Sequence, residues 1–174
     1  PLLRFSVVAF LRRLRNLRDP QAVIDSHCHL ADEKFRGDLE QVIARAKEAG
    51  LEGALVILEG GNTAEADQAR RVEQLWPAVR TAIGVHPHIS HEYAADPGQA
   101  AAVVRAALDA TPSVRAVGEI GLDYHYDFSP RDVHQRVFRT DRRLARERGR
   151  PVVIHTREAH ADTLTLIREE GGGE

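Results

Sequence analysis

Two histidines one residue apart close the run Val23-Ile24-Asp25-Ser26-His27-Cys28-His29-Leu30, an apolar stretch of strand character. Side chains alternate faces along a strand, so His27 and His29 point one way and Cys28 the other. Two imidazoles on one side of a strand end can grip a single divalent cation, although an isolated pair beside a turn can also be two solvated histidines. What favours chemistry is recurrence: His86 and His88, Glu119, and His155 also fall where later apolar runs end.

The elements that must position these residues alternate. Strand-like runs begin near Val23, Ala54, Val79, Val114 and Pro151, with helical stretches between them. Asp38 to Ala49 carries Leu39, Val42, Ile43 and Ala46 on one face and closes at Gly50. Thr63 to Trp76 ends before Pro77, and Pro97 to Ala110 has its proline in the first turn. Ser129-Pro130 reads as an N-cap and first helical position for Arg131 to Arg148, and Glu158 to Glu170 runs into three glycines. Strand and helix in alternation, at about 30 residues per unit, mean an α/β fold of parallel strands joined by right-handed crossovers. Five such units make either a complete open sheet or the first five-eighths of a TIM-type (β/α)8 barrel, whose usual length is about 250 residues. In an open sheet the histidines and Glu119 would spread over roughly 20 Å, whereas a barrel gathers the carboxyl ends of its strands around one mouth. The barrel accounts for their recurrence.

Composition narrows the partners. A chain of 174 residues with 43% hydrophobic content suffices for one domain with a core, and a formal charge of −2 gives no global basic field. Nucleic acid, if bound, must therefore be held by a local site and its ions. A single cysteine, Cys28, fits a reducing compartment and the cytoplasm, and reads as a small apolar residue turned away from the histidines. Residues 1–20 form a basic extension, with Arg4, Arg12, Arg13, Arg15 and Arg18 and no acid before Asp19. The apolar stretch within it is too short to span a bilayer, and its charge follows that stretch, the reverse of a secretory signal. It reads as an addition to a domain of residues 21–174, with a basic amphipathic helix as the alternative. The absence of Met suggests that residue 1 is not a translational start or that the ends are not natural ends.

From Val23 to about Ile167 the chain resembles the TatD family of metal-dependent deoxyribonucleases, within the amidohydrolase-like barrels. The matching stretches are the first run through Leu30, Gly84-Val85-His86-Pro87-His88, Gly118-Glu119-Ile120-Gly121-Leu122-Asp123-Tyr124, and Pro151-Val152-Val153-Ile154-His155-Thr156-Arg157-Glu158-Ala159. Two positions depart from the family pattern: Ala31 stands where Asp or Asn is usual, and the acid expected near the end of the fourth stretch falls one place later, at Asp162.

The resemblance implies that His27 and His29 hold one metal ion and that Glu119 bridges it to a second, which His155 helps to hold. It places His86 and His88 beside the substrate. Arg157 is a candidate fork for a phosphate, or a surface arginine starting the next helix. Asp123 and Tyr124 are candidates for orienting ligands, while His91, His125, His134 and His160 match no ligand position and are expected to be surface or structural. Mixed imidazole and carboxylate ligands suit two divalent ions, Zn²⁺ or Mn²⁺ and less readily Mg²⁺. The implied reaction is cleavage of phosphodiester bonds in DNA, single-stranded or at 3′ ends, by metal-activated water. A non-catalytic metal-binding fragment, and hydrolysis of another ester or amide, are the alternatives. Neither a membrane partner nor an obligate protein partner is expected. The family pattern continues into a sixth strand with a metal-binding histidine and an eighth with a water-activating aspartate, neither of which lies within these 174 residues, so a C-terminally truncated chain is expected.

Overall fold

A computed structural model describes residues 23–171; the basic extension expected over residues 1–20 lies outside them. Five strands run β1 Val23–Cys28, β2 Leu51–Glu59, β3 Arg80–Gly84, β4 Val114–Asp123 and β5 Val152–Arg157. Five α-helices alternate with them, α1 Leu39–Glu48, α2 Thr63–Leu75, α3 Gly98–Ala110, α4 Arg131–Glu147 and α5 His160–Glu169. Every strand pair is parallel, and the order in the sheet is the order in the chain.

That order, together with curvature, decides between the two architectures. His27 on β1 and Glu119 on β4 are three strands apart, which in a flat sheet is about 14 Å. Their side chains meet at 3.4 Å. The sheet is therefore curled into a half-barrel, with the helices outside. Alternation along β2 shows both layers: Ala54, Val56 and Leu58 pack outward against the helices, while Leu55 and Ile57 join Ala82 and Ala116 inside the curl. Among the described residues no strand pairs with the outer edges of β1 and β5. Between those edges an apolar cavity of about 440 Å³ opens, lined by Leu55, Ala116, Val153, Leu164 and Ile167 among others. No helix among the described residues is long and apolar enough to cross a membrane.

Most local signals act as the sequence predicts. Leu39 and Ile43 are the buried face of α1, and Gly50 follows its C-cap with φ +90°, a conformation that favours glycine. Asn62 caps α2 by accepting from the Glu65 N–H at 3.2 Å. Three expectations need correction. Pro130, not Ser129, is the residue before α4, because the Ser129 hydroxyl is taken by the His91 N–H at 2.8 Å. The last helix begins at His160 and not Glu158, whose φ of +54° is not helical. Glu119 does not end its strand: β4 continues four residues further, to Asp123.

Candidate metal centre

The site is built from the carboxyl ends of four strands. His27 lies within β1 and His29 just beyond it, and the expected shared face brings their rings to 5.2 Å between centroids. Cys28 points the other way, its thiol 3.6 Å from the Leu55 carbonyl, and burial pushes its pKa up to about 12. On β4, Glu119 sits between two glycines that let the strand run hard against β5. A Cβ on Gly121 would lie 2.0 Å from the His155 carbonyl oxygen, and one on Gly118 would lie 2.6 Å from Val153. This close approach sets Glu119 beside His155: its Oε1 is 3.0 Å from His155 Nδ1, and its Oε2 is 3.4 Å from His27 Nε2. One donor atom from each of His27, His29 and Glu119 lies within 4.8 Å of the others. Small side-chain rotations would let one cation meet all three at ~2.0–2.2 Å.

A second group forms from His86, His88 and His155, again with donor atoms within 4.8 Å of one another. Strand alternation is not what joins the first two. His86 is the residue before a 3-10 helix, Pro87–Tyr93, and its Nδ1 accepts the His88 N–H at 3.2 Å. That turn sets the rings edge to face at 4.4 Å. Beneath them is Asp123, buried at 1% exposure, whose Oδ2 takes His88 Nε2 at 2.8 Å and His155 Nε2 at 3.0 Å. Its Oδ1 accepts the N–H groups of His125 and Tyr126 at 2.9 and 3.1 Å. Asp123 thus ties two imidazoles to one loop, a larger part than the sequence indicated.

The protons on this network can be traced. His86 Nδ1 accepts from His88, so the His86 proton sits on Nε2, which faces His155 Nδ1 at 3.2 Å. His155 accordingly carries its proton on Nε2, toward Asp123. His155 Nδ1 thus faces two groups, His86 Nε2 and Glu119 Oε1, and its contact with the carboxylate at 3.0 Å needs a proton or a cation between them. The field agrees. His155 is raised, first by its bond to Glu119 and then, against burial, by Asp123. Burial works against ionisation of Glu119, yet His155, His27 and His86 hold it below the usual carboxylate range. The same holds more strongly for Asp123, where burial is outweighed by His88, His155 and two backbone donors. Burial and the neighbouring His155 push His86 down to about 4, so it is a neutral ring near neutral pH. Without a cation a proton bridges His155 and Glu119; a cation bound there would take the place of that proton beside the carboxylates of Glu119 and Asp123.

A cavity of about 510 Å³ opens over these groups, lined by His29, His86, His88, Glu119, Asp123, His155 and Arg157 among others. Arg157 ends β5, its guanidinium 4.8 Å from the Tyr126 ring centroid, and among the described residues no carboxylate pairs with it. Glu59, at the end of β2, is a member that the sequence did not single out. Its Oε1 accepts the His86 N–H at 3.2 Å, and burial pushes its pKa up to about 8.

The departures from the family pattern have local partners. Ala31 is buried at 2% exposure, and Asp162 accepts from the Tyr124 hydroxyl at 2.7 Å and from Gln135 at 3.2 Å. Of the histidines without a ligand position, His125 pairs with Glu158 and His91 with Ser129, and His160 is exposed. His134 is structural rather than superficial, being 1% exposed with its ring near-parallel to Tyr124.

Against known proteins, residues 24–174 match the model of the family described as TatD related DNase. The chain is 39% identical over 145 residues to a protein of Citrobacter rodentium named 3′-5′ ssDNA/RNA exonuclease TatD, covering 83% of this chain and 53% of that one. It is 37% identical over 149 residues to an uncharacterized metal-dependent hydrolase, YabD, of Bacillus subtilis, covering 86% of this chain and 56% of that one. The chain therefore spans about half the length of these curated relatives. The crystal structure of a hydrolase of the TatD family from Entamoeba histolytica superposes with a TM-score of 0.74 at 26% identity, covering 87% of this chain and 55% of that one.

Proposed function

This chain belongs to the TatD-related DNase family, and from that membership we propose that its strand ends form the metal centre of a hydrolase that cleaves phosphodiester bonds in DNA. The observation that carries the proposal is the convergence of His27, His29 and Glu119 from strands three apart, with Glu119 turned also to His155. In this assignment His27, His29 and Glu119 hold one ion, and Glu119 with His155 takes part in holding a second. Zn²⁺ or Mn²⁺ suits these donors better than Mg²⁺. Two such ions would supply an acidified water and offset the charge that develops on the phosphate.

The chain's own residues do the remaining work. Asp123 holds a proton of His155 on Nε2, so that Nδ1 is the nitrogen turned toward Glu119. His86 and His88 form the wall of the cavity where a scissile group would rest, and Arg157, stacked on Tyr126 and without a carboxylate partner among the described residues, would present its guanidinium edge to a phosphate. A relative is named as a single-stranded DNA/RNA exonuclease, which supports a single-stranded substrate or a 3′ end here. YabD, named only as a metal-dependent hydrolase, keeps another ester or amide as the second reading. A reducing, cytoplasmic setting belongs to the same proposal, supported by one cysteine whose thiol is half-buried and held protonated.

The water-activating aspartate and the further metal-binding histidine of the family pattern are not among these 174 residues. The proposed activity is assigned to a protein that includes them, and the 174-residue chain alone should cleave slower by ~10²–10⁴. The test is release of nucleotides from a single-stranded oligonucleotide with Mn²⁺ or Mg²⁺, comparing this chain, a protein extended through its natural downstream sequence, and Glu119→Gln in the latter. The extended protein should be active and its Glu119→Gln variant reduced to background. Cleavage that survives Glu119→Gln or chelation of the metal overturns the proposal.

A further inference from the structure

Four large hydrophobic side chains are exposed among the described residues, and two of them have no open sheet edge to explain it. Leu164 lines the cavity between β1 and β5 and Val23 begins the edge strand β1, but Tyr126 (40% exposed) and Phe128 (55%) stand on the loop between β4 and α4. Elements on both sides of that loop are present in the chain. The rings of Tyr126 and Phe128 stack at 5.1 Å and 19°. Both abut the His88 ring, at 5.3 and 4.9 Å, and the Arg157 guanidinium lies over Tyr126. The loop is held in place, since Asp123 fixes its start through two backbone N–H groups and Ser129 fixes its end through the His91 N–H. His88 and Arg157 are also walls of the 510 Å³ cavity. The aromatic pair is therefore a fixed, solvent-facing extension of the candidate site.

We propose that Tyr126 and Phe128 form a stacking platform for an unpaired nucleobase of a single-stranded nucleic acid whose phosphodiester enters the adjoining cavity. The proposal rests on the nucleic-acid reading of that cavity. Every base has an aromatic face, so such a platform binds bases with little regard to sequence, and adjacent Arg157 supplies charge for the backbone. Arg157 occupies Tyr126, which leaves Phe128, the more exposed ring, as the surface the base meets. Bases of a duplex are already stacked on one another, so the platform selects strands whose terminal bases are unpaired.

The test is fluorescence anisotropy with Ca²⁺ in place of a catalytic ion, using a short oligothymidylate and a strand of equal length made of abasic sites. The unaltered chain should bind the base-bearing strand about tenfold tighter or more. Phe128→Ala, and more fully the Tyr126→Ala/Phe128→Ala pair, should bring the two strands to equal affinity without changing abasic binding, whereas Phe128→Trp should keep the preference. Equal binding of both strands by the unaltered chain, or a preference that survives the double substitution, overturns the platform. Binding of neither strand overturns both the platform and the nucleic-acid reading. Base preference in this chain, with no metal-dependent cleavage by the protein extended through its natural downstream sequence, supports the platform and refutes only the hydrolytic assignment.

Discussion

Replacing Asp123 by Asn isolates the part of the centre that acts through orientation. The two side chains have the same shape. In the variant the amide oxygen can keep the His125 and Tyr126 N–H groups, at 2.9 and 3.1 Å, so the loop has no reason to move. The amide nitrogen then falls where Oδ2 meets His88 Nε2 at 2.8 Å and His155 Nε2 at 3.0 Å. A donor facing two nitrogens that were donating forces the His155 proton to Nδ1. That is the atom that approaches Glu119 at 3.0 Å and would bind a cation. Carboxylates that fix a ligand histidine in this way are worth 10–100-fold in metal affinity, about 1.4–2.7 kcal/mol. Competition of the protein with a chromogenic chelator for Zn²⁺, repeated with Mn²⁺ by calorimetry, reads this directly. His160→Ala, at an exposed position, is the control and should leave affinity unaltered. An Asp123→Asn protein that binds every ion as tightly as the unaltered chain would refute the proton assignment across the network.

His27→Ala should abolish tight Zn²⁺ or Mn²⁺ binding in the same calorimetric titration, because it leaves His29 and Glu119 as the remaining members of their group; unchanged affinity would show the ligand set to be wrong. Asp141 is fully buried, accepts the Val85 N–H at 3.1 Å, and burial pushes its pKa up to about 7 from 3.8. A raised pKa means that its contribution is full below pH ~4 and is lost as pH rises through about 7, so Asp141→Asn should gain stability over the unaltered chain, by up to a few kcal/mol, between pH 5 and pH 8 in denaturant titrations. A difference between the two proteins that is the same at both pH values would contradict this. Gly121→Ala should cost more than ~4 kcal/mol and yield little folded protein, since the new Cβ falls 2.0 Å from the His155 carbonyl oxygen at φ +150°; a wild-type denaturation midpoint would mean that β4 and β5 do not approach as closely as described.

The parts of the centre legible in sequence were those marked by residue type at a strand end. The shared face of His27 and His29 needed only an apolar run and a period of two, and His155 only an apolar run that reaches a histidine; their roles as ligands rest on the family resemblance. The curl was implied by their recurrence, because no flat sheet brings β1 to β4. What stayed hidden depended on backbone detail. His86 and His88 meet through a 3-10 turn whose first residue is Pro87, a geometry that an alternating pattern mimics but does not specify. Glu59 precedes Gly60-Gly61 and looks like any solvated acid before a turn; only the packing of β2 beside β3 shows that it holds the His86 amide. Ser129 has the composition of a helix cap, but a contact 38 residues away takes its hydroxyl first. His134 gave no sign of burial, since a lone histidine in an amphipathic helix reads as polar until Tyr124 is found above it.

The central claim, that His27, His29, Glu119 and His155 constitute one metal centre, is tested most directly by anomalous scattering from crystals grown with Mn²⁺ or Zn²⁺. One peak should lie ~2.0–2.2 Å from the ligand atoms of His27, His29 and Glu119, and a second between Glu119 and His155, ~3.5–4 Å from the first. Absence of any ion at Glu119, or ions held solely by His86, His88 and His155, would contradict it.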